Sequence, residues 1–330
     1  MMTRLGLGLS GSGMTPPEVV ECVRLADELG YDSAWLSEGH GGDQFSTLTA
    51  CALATERIKL GTSISSVFVR SAPTIAMAAA CVDHFSGGRF ILGLGSSHRV
   101  QVEGEHGLDY SRPVRRLRES VEIIRTLLRE GEARYKGEVL DIQRFDIWFK
   151  PLRQEIPIYL AAVFPKMLRI CGELAQGTML TWTTVDGARK AAEMVAEGAR
   201  EAGRHPEDID VASLISTSVS MEGLAGPDDL RMSLGYYAGF FPRYNRQLAK
   251  SGFPEEAAAI RRAYRDGRRG EELAKLVPDH VLSAVAVIGT PDQCKERLAE
   301  YRQAGLTLPI TTPRETSKEQ VIEVIRALAP

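Results

Sequence analysis

Three side chains that can carry protons follow apolar stretches of this 330-residue sequence that are typical of β-strands. Glu38 and His40 come directly after the stretch Ser33–Ser37, and His98 comes shortly after the stretch Phe90–Leu94. Histidine titrates near neutral pH, and imidazoles and carboxylates are common general acids and bases in enzymes. We therefore predict that Glu38, His40 and His98 take part in proton transfer.

Two of these side chains also have a structural alternative, whereas His40 lies in a glycine-rich loop where no helix face would bury it. Glu38 could cap a helix or pair with Arg70, and His98 could be an exposed loop residue. His84, beside Asp83 at the end of a predicted helix, lies at the opposite end of the predicted fold. We interpret His84 and Asp83 as residues that contribute to stability.

A glycine–serine turn ends the strand that precedes the last of these side chains. Gly95 would let a ligand or another backbone come close, while Ser96 and Ser97 offer hydroxyl and amide donors. The turn is similar to the start of a dinucleotide-binding fingerprint, but that motif needs a third glycine and a helix that opens directly after it. Gly104 comes too late, and the sequence predicts no helix before about Pro113. We therefore interpret the turn as the end of a barrel strand.

Strand and helix patterns alternate along the chain. Between the strands, apolar residues repeat at helical spacing, as at Leu117, Val121, Ile124 and Leu128. This α/β alternation is typical of a parallel sheet covered by helices, and about eight such units favour one closed (β/α)8 TIM barrel over residues 1–330. A doubly wound open sheet is the alternative. The predicted strands are Leu5–Leu9, Ser33–Ser37, Ile58–Ser65, Phe90–Leu94, Pro157–Ala162, Thr178–Trp182, Ile209–Ser220 and Thr307–Thr311.

Active sites of such barrels lie at the carboxyl ends of the strands. Glu38, His40 and His98 would therefore converge on one mouth, together with hydroxyl groups and glycines. The other residues that this rule places at strand ends are Ser10, Ser63, Ile64, Ser65, Val163, Phe164, Thr181 and Trp182.

Two segments interrupt the alternation. Residues 131–150 alternate around Lys136-Gly137 and predict a surface hairpin. Residues from about 224 to 278 predict a helical insertion after strand seven, near the barrel mouth. One side of this insertion could pack on the barrel helices, form a wall over a substrate pocket or contact a second subunit. The aromatic residues that would share that side of a helix are Tyr236, Tyr237, Phe240, Phe241 and Tyr244.

The composition disfavours several classes of protein. A net charge of −3 gives no electrostatic basis for binding nucleic acid. The five cysteines are scattered, with no CxxC pair and no histidine at metal spacing, so we predict free thiols and no metal site. No stretch is long and apolar enough to span a membrane, and the N-terminus lacks the features of a signal peptide. We therefore expect a cytoplasmic protein that does not bind a membrane.

Several segments together resemble the luciferase-like monooxygenase superfamily. They are WLSEGHGGDQF at 35–45, GTSIS at 61–65, RSAP at 70–73, FSGGRFILGLGSS at 85–97 and RPVRRLRESVEIIRTLL at 112–128. The segment at 157–182 is similar to the branch that uses the deazaflavin coenzyme F420. That branch includes methylenetetrahydromethanopterin reductase and a deazaflavin-dependent glucose-6-phosphate dehydrogenase. The resemblance covers most of residues 1–220.

This resemblance implies a barrel that holds a flavin or deazaflavin at the strand ends and transfers hydride. In the family, a bulge after strand three with a non-prolyl cis peptide backs the central ring of the cofactor, and the matching pair here is Ser63-Ile64. The strand-four turn (Gly95, Ser96 and Ser97) and the strand-two acid Glu38 also carry over. The other strand-end residues are further expected cofactor contacts, namely Ser10, Ser65, Val163, Phe164, Thr181 and Trp182.

The sequence departs from these relatives at three places. His98 stands where the sugar-phosphate dehydrogenases have a glutamate, and Gly39 stands where they have a histidine, so we do not expect their substrate here. Val163-Phe164 replaces a Gly-Gly pair that several relatives have after strand five.

The resemblance implies hydride transfer between coenzyme F420 and a small organic substrate, by a protein that we expect to be a homodimer. The alternative is an FMN-dependent monooxygenase that uses oxygen, because both cofactors present a similar ring and a phosphate. A second alternative is a non-catalytic relative that binds a flavin. The proton-carrying groups predicted at the mouth argue against that alternative.

Overall fold

Eight parallel strands close into a barrel in the computed structural model of the chain, which describes residues 4–10, 13–221, 227–314 and 317–330. Strands are numbered along the chain together with four others, given below, that do not belong to the ring of eight. Each of the eight pairs in parallel with the next, and the last pairs with the first, so the predicted TIM barrel is confirmed. The barrel strands are β1 (Gly6–Leu9), β2 (Ser33–Leu36), β3 (Lys59–Thr62), β5 (Phe90–Gly95), β8 (Ile158–Ala161), β9 (Gly177–Thr181), β10 (Asp210–Val219) and β12 (Leu308–Pro313).

The strands are apolar because both of their faces are covered. All six residues of β5 are buried, as are all four residues of β1 and β2. Side chains that point into the barrel, among them Trp35 and Tyr159, form a cluster separate from the one under the helices. Gly61 makes room for the indole of Trp35, since a Cβ at this position would lie 2.3 Å from that ring.

Eight helices cover the barrel in the described part of the chain, and several begin at capping residues. Thr15 and Thr290 form capping boxes, while Asp43 and Ser71 each accept a hydrogen bond from a backbone amide in the first turn. These helices are α1 (Pro16–Glu28), α2 (Gln44–Ala54), α3 (Ala72–Phe85), α5 (Pro113–Glu130), α6 (Pro165–Leu174), α7 (Val185–Glu201), α13 (Pro291–Gln303) and α14 (Lys318–Ala327).

A short helix, α4 (Arg99–Gly104), follows β5 directly. The prediction that no helix begins before about Pro113 was therefore wrong. This helix has six residues and buries only Val102, so it lacks the apolar repeat by which a helix is read from sequence. The third glycine of a dinucleotide fingerprint is still missing, and the turn ends a barrel strand as predicted.

The predicted surface hairpin is present as β6 (Glu132–Lys136) and β7 (Asp141–Asp146), which pair antiparallel. Its turn is held by Glu119 of α5, which is 2% exposed. The Glu119 carboxylate accepts hydrogen bonds from the backbone amides of three consecutive turn residues, at 2.8 to 3.1 Å.

The insertion after β10 is helical, as predicted, but it is a bundle of several short helices that runs beyond residue 278. The prediction of a single helix through Tyr244 was wrong. The helix ends before Phe241, whose backbone is extended, and a new helix begins at Pro242. Residues 222–226, where the predicted insertion begins, lie outside the described residues. The described elements are α8 (Asp228–Phe240), α9 (Pro242–Lys250), α10 (Pro254–Arg265), α11 (Glu271–Ala274), α12 (Asp279–Val285) and the short strand β11 (Val287–Gly289).

The remaining expectations on structure concern cysteines and the membrane. All five cysteines are free, and Cys22, Cys51, Cys171 and Cys294 are buried, as predicted. A search of the described residues found no helix with the length and hydropathy needed to cross a membrane.

Candidate active site at the barrel mouth

The strand-three and strand-four signatures meet at one side of the mouth. The peptide bond between Ser63 and Ile64 is cis, which confirms the prediction made from the resemblance. The next two residues form the short strand β4 (Ser65–Ser66), which pairs with Leu94 and Gly95 at the end of β5. Gly95 is required here, because a Cβ would lie 2.7 Å from Ile64 Cδ1.

Buried polar atoms without a hydrogen-bond partner among the described residues lie on several segments that end at the mouth. An unpaired buried polar group costs about 1–3 kcal/mol, so it points to a polar ligand that supplies the missing partner. These atoms include Ser63 Oγ, Ser65 Oγ, His98 Nδ1, Trp182 Nε1, Gln247 Oε1 and Thr312 Oγ1.

His98 lies beneath the aromatic side chains of the insertion. Its ring centroid is 4.4 Å from that of Phe241 and 4.7 Å from that of Tyr244. Burial, together with the nearby positive charge of Arg243, lowers the pKa of His98 to about 4. The imidazole is therefore neutral at pH 7 and has one N–H donor and one acceptor nitrogen.

Glu38 is engaged by Arg70, which is the structural alternative considered for it above. Arg70 Nε lies 2.5 Å from Glu38 Oε1, and the same guanidinium bonds to Asp43. The other carboxylate oxygen of Glu38 accepts a hydrogen bond of 3.4 Å from the amide of Ser66. Glu38 thus ties the start of α2 to the residues that follow the cis peptide.

His40 lies at the rim of the mouth, with its side chain 86% exposed. Its Nε2 is 3.4 Å from Glu105 Oε2. His40 pairs with Glu105 and Glu38 pairs with Arg70, so the three predicted proton carriers do not form one hydrogen-bonded group.

Ser96 and Ser97 are bound by an arginine that the sequence reasoning missed. Arg243 of α9 donates to Ser96 Oγ at 3.2 Å, to the Ser97 carbonyl at 3.1 Å and to the hydroxyl of Tyr110 at 2.6 Å. Ser97 has a positive φ of 53°. No local pattern marks Arg243, which lies about 146 residues from its partners in sequence.

Thr181 and Trp182 at the end of β9 are likewise held by the insertion. Gln247 Nε2 donates to their carbonyl oxygens, at 2.8 and 3.1 Å. Trp182 has a positive φ of 47°, and its ring packs against Tyr237 with centroids 5.6 Å apart. Its indole N–H is one of the unpartnered atoms named above.

Val163 and Phe164 follow β8, where two cations of α9 approach them. The Arg246 guanidinium and the Lys250 ammonium lie 5.7 and 5.6 Å from the ring centroid of Phe164. Neither cation forms an ion pair with a carboxylate within the described ranges. Ser10, the remaining predicted residue, is exposed at the end of β1.

Within the described part of the chain, no cluster of three or more His, Cys, Asp or Glu side chains is arranged to hold a metal ion. The polar groups of the mouth are hydroxyls, amides, an indole, two imidazoles, the Arg70-bound carboxylate of Glu38 and several cations.

Curated proteins of similar sequence align over nearly the whole chain. A 5,10-methylenetetrahydromethanopterin reductase of Methanolobus tindarius is 29% identical, covering 93% of this chain and 94% of its own. The reductase of the same name from Archaeoglobus fulgidus is 30% identical over 92% of both chains. An F420-dependent glucose-6-phosphate dehydrogenase of Amycolatopsis mediterranei is 27% identical, over 92% of this chain and 91% of its own.

Solved structures show the same fold. An F420-dependent tetrahydromethanopterin reductase from Methanopyrus kandleri superposes with a TM-score of 0.86 at 24% identity, over 100% of this chain and 98% of its own. An F420-dependent secondary alcohol dehydrogenase gives 0.79 at 21% identity, over all of both chains. Residues 1–308 match the family model described as luciferase-like monooxygenase. The chain belongs to the luciferase-like monooxygenase family.

Proposed function

We propose that this protein is an oxidoreductase that transfers hydride between coenzyme F420 and a small organic substrate. The observation that carries the proposal is that relatives named for F420-dependent or methylenetetrahydromethanopterin-reducing activity align over more than nine-tenths of this chain. The family model that matches residues 1–308 spans the cis bulge at Ser63-Ile64 and the turn at Gly95, which are packed against each other.

The residues of the mouth fit a ring with polar edges. Gly95 lets the side chain of Ile64 pack closely against β5, which holds the bulge in place, and Ser63 Oγ and Ser65 Oγ have no partner among the described residues. When bound, F420 supplies or accepts the hydride at its ring. Ser63, Ile64, Ser65, Gly95, Ser96 and Ser97 are the residues that we propose to contact it.

Arg246 and Lys250 are suited to the cofactor phosphate. Both stand beside Phe164, at the loop where several relatives have a Gly-Gly pair, and both lack a carboxylate partner within the described part of the chain. Guanidinium and ammonium groups are common phosphate ligands. We therefore place the phosphate end of the cofactor near Val163 and Phe164, with Thr181 and Trp182 as neighbours.

A proton must move when hydride adds to or leaves the substrate, and we propose that His98 exchanges it. His98 is neutral, faces the aromatic wall and has an unpartnered nitrogen. Glu38 would support this role by holding the residues after the cis peptide, through Arg70 and the amide of Ser66. His40 would support proton transfer from the rim of the mouth. Replacing His98 with Ala should reduce turnover roughly 10²–10⁴-fold while the cofactor affinity stays nearly unchanged.

Titration of the purified protein with F420 and with FMN tests the cofactor. We expect F420 to bind more tightly, as measured by the change in its fluorescence. Tighter binding of FMN with oxygen uptake after reduction would instead support the monooxygenase alternative. A Baeyer-Villiger monooxygenase solved in complex with FMN has the same fold at 17% identity. Cofactor binding without turnover of any carbonyl or alcohol substrate would support the non-catalytic alternative.

We propose that the chain forms one domain and that two copies form a dimer through α2 and α3. These helices pack side by side, and α2 contains no charged residue, while the one acid of α3, Asp83, is buried. Leu53 and Met77 are 69% and 40% exposed on this face. An uncharged outward face shared by two helices is typical of a covered surface.

A cytoplasmic location is also part of the proposal. All five cysteines are free thiols, and proteins of oxidising compartments commonly use cysteines in disulfides.

A further inference from the structure

Arg314 lies directly after β12, across the mouth from His98. In the closed order of strands, β12 and β5 are separated by four steps in either direction, so the residues that follow them stand on opposite sides of the barrel. Both side chains contact the same aromatic cluster, because Arg314 lies over the ring of Trp182 and His98 packs on Tyr244, and Tyr237 packs on both of these rings.

The guanidinium of Arg314 has hydrogen-bonding capacity that the described residues leave unused. Its Nε and Nη2 both donate to Ser216 Oγ, at 3.1 and 2.9 Å. A guanidinium carries five N–H groups, and the other three of Arg314 have no acceptor among the described residues. The described residues also give Arg314 no carboxylate partner, whereas Arg70 at the same mouth has two.

Polar groups without a hydrogen-bond partner among the described residues also occur around Arg314. Its guanidinium lies 5.5 Å from the ring centroid of Trp182, whose Nε1 is a buried donor without a partner. Thr312, two residues earlier on β12, has a buried hydroxyl that is also unpartnered among the described residues. A positive charge with no carboxylate partner among the described residues and a buried indole donor therefore lie side by side at this part of the mouth.

An aromatic path leads from this charge to His98. Trp182 packs on Tyr237, Tyr237 packs on Tyr244 at 5.3 Å, and Tyr244 packs on His98. A molecule that reaches from Arg314 to His98 would lie along aromatic side chains for its whole length. Such a surface suits an apolar body and selects against a sugar.

We propose that Arg314, oriented by Ser216 and assisted by the indole N–H of Trp182, binds the carboxylate of an organic acid whose apolar part lies along this aromatic path. A carboxylate fits because it accepts two parallel hydrogen bonds from a guanidinium and carries the single negative charge that the described residues do not supply to Arg314. The inference rests on the proposed function, since it names the substrate class of the same mouth.

The cofactor phosphate is a poorer candidate for this position. Arg246 and Lys250 already provide unpaired cations at the end of β8, which lies three strand positions from β12 around the barrel. Arg243 is also a poorer carboxylate site, because its guanidinium already donates to Ser96, Ser97 and Tyr110.

The test is calorimetric titration of the F420-loaded protein with benzoate, with benzyl alcohol as the uncharged probe of similar shape. We expect benzoate to bind the unmodified protein and to bind Arg314→Gln at least tenfold more weakly. Arg314→Lys, which keeps the charge but loses the fork geometry, should fall between them. Arg326→Gln, which removes a charge from the exposed face of α14, is the matched control and should bind benzoate normally.

Several outcomes would overturn the inference: no benzoate binding to the unmodified protein, equal affinity for Arg314→Gln, or tighter Arg314-dependent binding of phenyl phosphate than of benzoate. A loss of F420 affinity in Arg314→Gln would assign the anion to the cofactor and would also overturn it. Melting temperatures of all variants identify any that fail to fold. If Arg314→Gln does not fold, the benzoate affinity of Arg314→Lys decides whether Arg314 binds the carboxylate. Repeating the titration without F420 separates this result from the cofactor proposal, which fails only if the unmodified protein does not bind F420.

Discussion

His98 shows how its surroundings determine what a residue can do. A histidine at a barrel mouth is expected to titrate near neutral pH, but burial against Phe241 and Tyr244 and the charge of Arg243 keep this one neutral. A neutral imidazole can donate one hydrogen bond and accept another. It can therefore donate a hydrogen bond to a substrate oxygen without adding a positive charge beside Arg243, and the proposed proton would come from its N–H as negative charge develops on that oxygen.

The lowered pKa predicts how stability depends on pH. Between about pH 6.5 and pH 4 the unfolded chain binds a proton at His98 and the folded chain does not, so acid favours unfolding. We expect this one residue to lower the free energy of unfolding by roughly 3 kcal/mol across that range. Chemical denaturation at a series of pH values, compared with His98→Gln, measures it.

In His98→Gln the loss of stability between those pH values should be smaller than in the unmodified protein. Arg243→Gln should raise the pKa of His98, but not to 6.5, because burial is the larger cause. Identical pH profiles for the unmodified protein and His98→Gln would contradict the assignment.

The identities of several site residues could be read from the sequence, but their partners could not. Strand ends and the family signature selected Ser63, Ile64 and Gly95, because the turn after a barrel strand is a local feature. The pairing of Glu38 with Arg70 was considered, yet choosing it over a catalytic role requires the distance between them. Arg243 and Arg314 could not be found, since only the closed fold brings them to the mouth.

At the scale of elements, the sequence was sufficient where burial alone determines the pattern. Strands covered on both faces are continuous apolar runs, so all eight barrel strands were placed within a few residues. The insertion was harder, because its helices are short. Pro242 is the sequence signal that argues against one continuous helix through Tyr244, because a proline disfavours helical backbone at the residue before it, Phe241.

The break at Phe241 decides which aromatic residues cover the site. It turns Phe241 and Tyr244 toward His98, while Phe240 packs on Tyr236 and Tyr264 within the insertion. We therefore expect Phe241→Ala to admit water to His98 and to raise its pKa toward 6.5. Phe240→Ala, the matched control at the neighbouring position, should destabilise the insertion and leave that pKa near 4.

Titration of the histidine signals by NMR measures both variants, with His98→Gln to identify the signal. An equal rise in both variants would mean that the whole insertion shields His98 rather than Phe241. No rise in either would remove Phe241 from the wall.

A second element-scale prediction concerns the hairpin of β6 and β7. Glu119 can accept from three amides because both carboxylate oxygens are acceptors, whereas a glutamine would place an NH2 group against at least one amide donor. We expect Glu119→Gln to lower the free energy of unfolding by about 1–3 kcal/mol. Glu130→Gln, at an exposed position of the same helix, should change it little, and equal effects would contradict this role.

For the whole molecule, the distribution of charge matters more than its sum. The net charge is −3, yet Arg246, Lys250 and Arg314 gather at the mouth without carboxylate partners among the described residues. A concave region lined by one sign of charge concentrates ligands of the opposite sign. An anionic cofactor and an organic acid would therefore be drawn to these three cations.

The uncharged face of α2 and α3 leads to the last prediction. If two copies cover it, a glutamate there would have to be buried without a partner, which costs several kcal/mol and should prevent association. We expect the unmodified protein to be a dimer by light scattering after size exclusion, and Leu53→Glu or Met77→Glu to be a folded monomer. Leu152→Glu, at a residue 49% exposed outside these helices, is the control and should remain a dimer. A monomeric unmodified protein, or a dimer that survives both substitutions, would show that these two helices are not the interface.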